Sequence, residues 1–186
     1  YGRINLANLE TGKPAPEFEA VDIEGNKIRL ADFKGRPVVI EWTNPECPCV
    51  SRHYKTGNMQ KVQKAAMESG AAWLRINSSA PGMPGHMNAK EAQKQAESVG
   101  SQETVTILDE AGKLGFMYGA ERTPQIFILN AEGVLVYKGA VDSMPNATAE
   151  ETPRADNYVL AVLEQLSQGK AVDPAVTEPY GCNVMY

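Results

Sequence analysis

The chain has 186 residues and a formal net charge of −5, with 18 lysines and arginines scattered along its length. This length can build one well-buried core, and no repeat or low-complexity stretch divides it, so we expect a single folded domain. The scattered basic residues argue against nucleic acid or an anionic membrane as a partner. No apolar run approaches the roughly 20 residues that cross a bilayer, so we expect no membrane span.

The N-terminal half is predicted to contain an arm, a hairpin, a central strand and a helix. The arm covers residues 1–15, which show no clear period, and the hairpin covers 17–30. Residues 37–43 form a nearly continuous apolar run, typical of a strand buried on both faces of a sheet. The helix that follows Cys47 is expected to bend or split at 56–58, where a Thr-Gly-Asn sequence interrupts its apolar spacing.

The C-terminal half continues the alternation of strand and helix. Asn88 is a suitable N-cap for one of these helices, because Glu91 three residues later completes a capping box analogue. The predicted elements are a strand at 71–77, a helix at 88–98, a strand at 104–108, a helical turn at 113–118, a hairpin at 125–139, a helix at 152–166 and an irregular tail at 171–186. This order favours an α/β fold with a central mixed sheet and helices on both faces.

The tripeptide Cys47-Pro48-Cys49 lies where the central strand ends and a helix is expected to begin. The unpaired N–H groups and the positive dipole end of a helix N-terminus favour a thiolate there. Pro48 suits the first helical turn, where its missing N–H has no intrahelical partner to lose. Neighbouring Glu46 is expected to oppose ionisation of Cys47. The motif therefore indicates a thiol redox site.

Thr123-Pro124 opens the predicted hairpin at 125–139. A proline cannot donate to a strand ladder, so it is expected at the strand's start, where a cis bond is one way to reverse the chain. We predict that the Thr123–Pro124 bond is cis and contacts the cysteine loop.

Together the cysteine motif and the Thr-Pro turn resemble the thioredoxin-like family, in which such a turn faces the cysteine helix. Residues 16–22, 24–26 and 30–37 are similar to the N-terminal hairpin and lead-in of its redoxin branch, which includes peroxiredoxins and thiol-specific antioxidant proteins. The resemblance spans roughly residues 14–166. It implies a thioredoxin-like fold with an N-terminal β-hairpin extension.

A narrower resemblance is to a little-characterised group of redoxin-domain proteins, many of them exported. It is carried by residues 42–48, by His53-Tyr54 and by Tyr180-Gly181-Cys182. The chain starts at Tyr1 rather than Met, which is typical of a trimmed sequence or of a mature product that has lost a signal segment. We expect a periplasmic or secreted protein, with a cytoplasmic location as the alternative.

These observations divide the chain into an N-terminal arm at 1–15, a redoxin domain at 16–168 and a C-terminal tail at 169–186 packed on that domain. Three cysteines are too few for a disulfide scaffold, and redox chemistry suits the count better. The resemblance implies a thiol–disulfide oxidoreductase that needs no cofactor. In this reaction Cys47 attacks the disulfide of a protein substrate. Thr123 and Pro124 would then shape an edge for an extended peptide.

The other two cysteines have open roles. Cys49 either forms a strained bridge to Cys47, resolves a mixed disulfide, or points into the core. Cys182 is a resolving thiol that reaches back to Cys47, an intermolecular bridge, or neither. The electron donor and the oligomeric state are not indicated.

Two departures from the family patterns bear on the reaction. Thioredoxins have two residues between their cysteines, whereas this chain has one. Peroxiredoxins place a threonine three residues before the reactive cysteine, whereas here that position is Asn44 and Thr43 lies one further back. Peroxiredoxins also carry an arginine on the strand that opens here with Pro124. Arg122 is close enough to that position for its guanidinium to serve the same purpose. A thiol peroxidase that attacks a peroxide is therefore the alternative to the oxidoreductase.

Two alternatives belong to other classes of protein. Cys47, Cys49 and His53 could bind copper(I) or zinc, because His53 lies four residues after Cys49 on the predicted helix. We expect no metal, since copper-delivery proteins of this fold space their cysteines more widely. A structural or assembly protein could also keep the fold without the chemistry. Trp42 and Phe127 are expected in the core, and Asp142 is expected in a solvated turn.

Overall fold

The structure is a computed structural model that describes residues 9–186. These residues form nine strands and five α-helices. The strands are Glu19–Val21 (β1), Lys27–Arg29 (β2), Val38–Trp42 (β3), Ala72–Asn77 (β4), Val105–Leu108 (β5), Arg122–Thr123 (β6), Gln125–Leu129 (β7), Leu135–Gly139 (β8) and Cys182–Asn183 (β9). The helices are Pro48–Lys55 (α1), Asn58–Glu68 (α2), Ala89–Val99 (α3), Lys113–Tyr118 (α4) and Tyr158–Ser167 (α5).

Five strands form the central mixed sheet, in the order β5-β4-β3-β7-β8. Strand β3 is parallel to β4 and antiparallel to β7, so it lies in the middle of the sheet with neighbours on both sides. Strands β1 and β2 form a separate hairpin, and β6 pairs with β9 from the C-terminal tail. The architecture confirms the predicted α/β fold with a central mixed sheet and an N-terminal hairpin.

Two apolar clusters lie on opposite faces of the sheet, because successive side chains of a strand point to opposite sides. Val39 of β3 packs with α1, α2 and α5 on one face. Ile40 and Trp42 pack with α4 and with the segment around Phe18 on the other. Trp42 and Phe127 are buried, as predicted. No helix within residues 9–186 is long and apolar enough to cross a membrane.

Several predicted boundaries agree with the structure. The helix after Cys47 is split, because Gly57 adopts a left-handed conformation with φ of 76° between α1 and α2. Asn88 caps α3: its side chain accepts a hydrogen bond from the Glu91 N–H, and the Glu91 carboxylate accepts one from the Asn88 N–H. The proposed division at 1–15, 16–168 and 169–186 stays a prediction, and residues 1–8 of the arm lie outside the described part of the chain.

The predicted start of the last helix was wrong. Residues Thr152–Arg154 form a short 3₁₀ turn, and α5 begins only at Tyr158. The Asn157 side chain accepts a hydrogen bond from the Leu160 N–H and so supplies the N-cap. Asn157 also forms a bridge to Asp142. The helix therefore begins at this tertiary-paired cap, and residues 152–157 stay outside it.

The tail crosses the molecule from the edge strand β8 to α4. Around Val176 it runs parallel to β8, where the Thr177 N–H donates to the Lys138 carbonyl. It then passes Tyr180 and enters β9. Its last residue, Tyr186, stacks on Phe116 of α4 with ring centroids 4.4 Å apart. The path brings the tail across the end of β3.

Charged residues are buried in the middle of the sheet, which the nearly apolar reading of β3 did not anticipate. Glu41 of β3 is fully buried and is paired in register with Arg75 of β4. Arg75 Nε lies 3.7 Å from Glu41 Oε1, and the Glu41 carboxylate also accepts hydrogen bonds from Tyr54 and Trp73. Burial raises the pKa of Glu41, although these partners oppose the rise. The buried Glu41 carboxylate therefore depends on Arg75, Tyr54 and Trp73 together.

We predict that Arg75→Met destabilises the protein by about 3–5 kcal/mol, because it leaves the Glu41 carboxylate buried without its cation. Adding Glu41→Gln should recover part of that loss, since the isolated charge is then removed. Urea unfolding of the four members of this double-mutant cycle measures both effects. The matched control is Lys64→Met, whose exposed contact to Glu68 should contribute less than about 1 kcal/mol. A double variant no more stable than Arg75→Met would contradict the explanation.

Candidate active site

Cys47 lies at the N-cap of α1, directly after the loop that leaves β3. The Cys47 N–H donates to the Asn44 carbonyl and holds the loop as a turn, while the Cys47 carbonyl accepts from the Ser51 N–H. Pro48 takes the first helical position, as predicted. The sulfur is therefore held at the N-terminal end of the helix, although its side chain is only 2% exposed.

The Thr123–Pro124 peptide bond is cis and lies opposite this helix end. The Cys47 thiol donates to the Thr123 carbonyl oxygen, with sulfur and oxygen 3.2 Å apart. The buried Thr123 hydroxyl also interacts with the Cys47 sulfur, and this interaction is one of the causes that lower the pKa of Cys47. The cysteine motif and the Thr-Pro turn predicted from the sequence are thus joined by the contact between the Cys47 sulfur and the Thr123 oxygen.

Cys182 joins them from the tail. Strand β9 pairs antiparallel with β6, and Cys182 is the register partner of Thr123. Gly181 passes so close that a Cβ built on it would lie 1.8 Å from the Thr123 carbonyl oxygen, and its φ is +129°. Only glycine is accommodated there. The structure therefore brings Cys182 beside Cys47, and all three cysteines are free thiols.

Opposing effects set the acidity of Cys47. Burial raises the pKa of its thiol, but hydrogen bonds from the Cys182 thiol and from the backbone N–H groups of Val50 and Cys182 outweigh burial, and the net pKa is lowered. The predicted opposing influence of Glu46 does not appear among these causes. Cys47 is thus the thiol whose ionisation the site favours.

The other two thiols are held protonated. Burial, reinforced by the neighbouring Cys47 sulfur, raises the pKa of Cys182 to about 12. Burial and the charge of Cys47 likewise raise the pKa of Cys49, which Arg52 partly offsets. The three sulfurs therefore differ in acidity, and the Cys47 thiol is the most acidic of them.

Thr43 and Asn44, the candidates for peroxide binding, bond to other partners. Both are buried, and the Thr43 hydroxyl accepts a hydrogen bond from Arg75 at 3.5 Å. The Asn44 amide donates to the Pro84 carbonyl and its oxygen accepts from the Glu46 N–H. Asn44 thus ties the 78–87 loop to the cysteine turn.

Arg122 holds the tail. Its guanidinium donates to the Asn183 side-chain oxygen at 2.6 Å and to the Glu121 carbonyl. Asn183 belongs to β9, so Arg122 fixes the strand that carries Cys182. The structure places Arg122 at the rim of the site as an anchor for β9.

A polar cluster beside the site, which the sequence interpretation missed, is formed by Arg52 and His53 of α1, Asp142 and Tyr180. Tyr180 donates to Asp142 Oδ1 at 2.5 Å and lies 2.9 Å from His53 Nε2. The Asn58 side-chain amide lies 2.8 Å from His53 Nδ1, and Arg52 Nη2 lies 3.3 Å from His53 Nε2. The hints in the sequence were the His53-Tyr54 pair and the Tyr180-Gly181-Cys182 ending.

This cluster corrects the expectation for Asp142 and also concerns the metal-binding alternative. Asp142 is buried at 2% exposure, not a solvated turn residue, because the tail and α1 close over it. His53 does not share a metal site with Cys47 and Cys49, because both of its ring nitrogens bond elsewhere. Residues 9–186 contain no group of three or more potential ligands placed to hold a metal ion.

A central β3, a cysteine at the start of the next helix and a cis-proline turn facing it define a thioredoxin-like protein. The chain belongs to the redoxin family, whose family model matches residues 10–159.

Curated relatives agree with this assignment. The chain is 26% identical over 135 residues to the thiol-disulfide oxidoreductase ResA of Bacillus thuringiensis, covering 69% of this chain and 68% of the relative. It is 28% identical to the thiol:disulfide interchange protein DsbE of Haemophilus influenzae, over 74% and 70% of the two chains. It is 27% identical to a peroxiredoxin Q of Oryza sativa subsp. japonica, over 73% and 61%.

Solved structures support the fold. An uncharacterised conserved protein of Geobacillus kaustophilus superposes with a TM-score of 0.81 at 26% identity, covering 95% of this chain and 92% of that one. The thioredoxin domain of a thiol-disulfide oxidoreductase from Bacteroides vulgatus gives a TM-score of 0.57 at 24% identity, over 70% and 89%. The first match includes nearly the whole chain, whereas the second covers less of it.

We predict that His53 makes stability depend on pH. Burial is the main cause that lowers the pKa of His53 to about 4, and Arg52 adds to it against the attraction of Asp142. Between pH 6.5 and 4 the unfolded chain then holds a proton at His53 that the folded protein lacks, so stability falls as pH falls through this window. The total effect is about 3 kcal/mol.

Urea unfolding of wild type and His53→Gln between pH 8 and pH 4 measures this effect. The variant should lose much of the decrease in stability over that window. His86→Gln, a change of the other histidine outside the cluster, is the matched control. An unchanged pH slope in His53→Gln would show that other groups cause the decrease.

Proposed function

We propose that the protein is a thiol–disulfide oxidoreductase in which Cys47 is the attacking thiolate. The observation that carries the proposal is the Cys47 sulfur at the start of α1, bonded across to Thr123 at the cis-proline turn and flanked by a second thiol. The lowered pKa of Cys47 increases the thiolate fraction at neutral pH. ResA and DsbE, which are named for thiol–disulfide chemistry, support the same reaction.

The reaction has two exchanges. The Cys47 thiolate attacks one sulfur of a substrate disulfide, forms a mixed disulfide and releases the other substrate sulfur as a thiolate that takes up a proton. A second enzyme thiolate then attacks the Cys47 sulfur and releases the remaining substrate thiol. The substrate disulfide is reduced by two electrons, and the enzyme is left with one disulfide. A dithiol reductant must restore it.

Cys182 is our choice for the second thiol, because its hydrogen bond to Cys47 places the two sulfurs in contact. Cys49 also contacts Cys47, but the two are separated by one residue, and a bridge between them would close a short ring. Ionisation of Cys182 becomes easier after the mixed disulfide forms, because the negative charge on Cys47 has then gone. Burial remains the main cause of the raised Cys182 pKa, and only the part due to Cys47 is removed at this stage.

A protein disulfide fits this site better than a peroxide. The Thr123–Pro124 segment presents a strand edge that pairs with extended backbone, as β6 does with β9. Asn44 and Arg122 are both occupied by other partners, so they offer no ready donors to a peroxide oxygen. The peroxiredoxin Q relative makes hydrogen peroxide the necessary comparison substrate. Location in the periplasm or outside the cell stays a prediction, testable by cell fractionation.

We predict that Cys47→Ser abolishes mixed-disulfide formation, because it removes the attacking sulfur. Reduced wild type should react with an oxidised peptide disulfide at least tenfold faster than with hydrogen peroxide at equal concentration. Cys49→Ser should still form the first mixed disulfide and is the matched control. Stopped-flow kinetics and intact mass spectrometry measure both steps. A faster reaction with peroxide would favour the peroxidase, and an unreactive Cys47 would exclude both reactions.

We also predict that Cys182→Ala raises the pKa of Cys47, because it removes a donor that stabilises the thiolate. The rate of Cys47 alkylation by iodoacetamide against pH measures this pKa, with the modified residue identified by mass spectrometry. Cys49→Ala is the comparison variant: Cys49 also hydrogen-bonds Cys47, but it is not among the main causes that lower the pKa of Cys47, so its removal should have a smaller effect. Equal profiles for wild type and Cys182→Ala would contradict the assigned role of Cys182.

A further inference from the structure

Cys47 is covered in the arrangement just described. Its side chain is 2% exposed, yet a thiolate must meet a substrate sulfur directly to exchange with it. The Thr123 carbonyl and the Cys182 thiol both contact it. Thr123 belongs to the framework next to β7, whereas Cys182 belongs to the tail. The tail is therefore the part of the cover that can move without disturbing the central sheet.

The tail occupies the same edge that a substrate would need. Strand β9 lies antiparallel to β6, with Cys182 opposite Thr123 and beside Cys47. An extended peptide that paired with Thr123 and presented a cysteine to Cys47 would take this position. The tail and such a peptide exclude each other, because Gly181 already lies within contact of the Thr123 carbonyl.

We propose that residues 181–186 are a tethered competitor for the peptide-docking edge, which an extended cysteine-bearing peptide must displace. This inference rests on the proposed function for the identity of the edge as the substrate side of the site. Cys182 marks the place of the substrate cysteine. The tail thus shields Cys47 when no substrate is bound.

The contacts divide the tail into a fixed part and a releasable part. Upstream, Thr177 is inserted at β8, where its hydroxyl accepts from the Ala140 N–H, and Tyr180 is bonded to buried Asp142. Downstream, the strand pairing is two residues long. It is supplemented by the Arg122 bond to the Asn183 side chain, by the Val184 N–H bond to the Glu121 carbonyl and by the Ala80 N–H bond to the Met185 carbonyl. Tyr186 also stacks on Phe116 and donates to the Ala120 carbonyl. Release begins at Gly181, just after the Tyr180 anchor, and must break these downstream contacts.

Exchange chemistry would return the tail to its place. After Cys47 has formed a mixed disulfide with the displacing peptide, the Cys182 thiolate attacks the Cys47 sulfur, and the peptide leaves as a thiol that takes up a proton. The new Cys47–Cys182 disulfide holds β9 on the docking edge. Reduction by a dithiol breaks that bond and makes release possible again. The same attack of Cys182 on Cys47 therefore docks the tail and releases the reduced peptide.

Gly181→Val tests the inference, because its side chain would overlap the Thr123 carbonyl and push the strand off the edge while keeping Cys182. Gly25→Val is the matched control: Gly25 also has positive φ, at +86°, but nothing lies within 4 Å of its Cβ position. The probe is a synthetic peptide with the sequence of residues 181–186 carrying Cys182→Ser, titrated by calorimetry into each reduced protein.

We expect the peptide to bind Gly181→Val at least tenfold more tightly than wild type or Gly25→Val, and iodoacetamide to alkylate its Cys47 at least tenfold faster. Equal binding and equal alkylation in all three proteins would overturn the inference. Peptide binding involves no chemistry, so it can succeed even if Cys47 fails to reduce disulfides. Conversely, disulfide exchange at equal rates in the three proteins would support the oxidoreductase function and contradict the role of the tail as a competitor.

Hydrogen exchange on unmodified wild type gives a second test that does not depend on a variant folding. In the reduced protein, the Val184 amide should exchange at least tenfold faster than the Thr177 amide of the fixed part. Oxidation to the Cys47–Cys182 disulfide should slow Val184 exchange. Val184 exchange as slow as that of Thr177 in the reduced protein would overturn the inference.

Discussion

The contact of Cys47 with the Thr123 carbonyl is the interaction on which the site depends. It joins two parts of the chain that are far apart in sequence, the turn from β3 into α1 and the cis-proline turn before β7. The antiparallel pairing of β3 with β7 brings these turns to the same end of the sheet. The tail then adds β9 to the Thr123 edge and completes the enclosure of the sulfur.

Enclosure and activation oppose each other at Cys47. Burial disfavours a thiolate, but the same tail that buries the sulfur supplies a thiol and an N–H that donate to it. The net pKa is lowered because the donors outweigh burial. A site that binds its thiolate well in this way must open before the thiolate can react. The tail therefore has two opposite effects on Cys47: it lowers the pKa of the thiol and it blocks substrate access to the sulfur.

Two buried polar clusters support the site from the framework. Glu41 and Arg75 join the middle strands beneath α1, with Tyr54 of that helix donating to the carboxylate. His53 and Asp142 bind Tyr180 and so fix the tail just before Gly181. One helix therefore contributes to both clusters. The orientation of α1, and with it the position of Cys47, is set by partners on the sheet and on the tail.

The sequence by itself determined the local elements and the two halves of the site. Short-range chemistry is enough for these features: apolar runs define strands, Asn88 caps a helix and Gly57 ends one. Pro48 and Pro124 restrict their own backbones. Tertiary structure decided the rest. Asp142 is buried, α5 begins at Tyr158 and Cys182 meets Cys47 because distant segments pack there. The start of α5 depends on the pairing of Asn157 with Asp142. The other two features depend on the path of the tail, which no local periodicity specifies, since the tail has no regular repeat to bury.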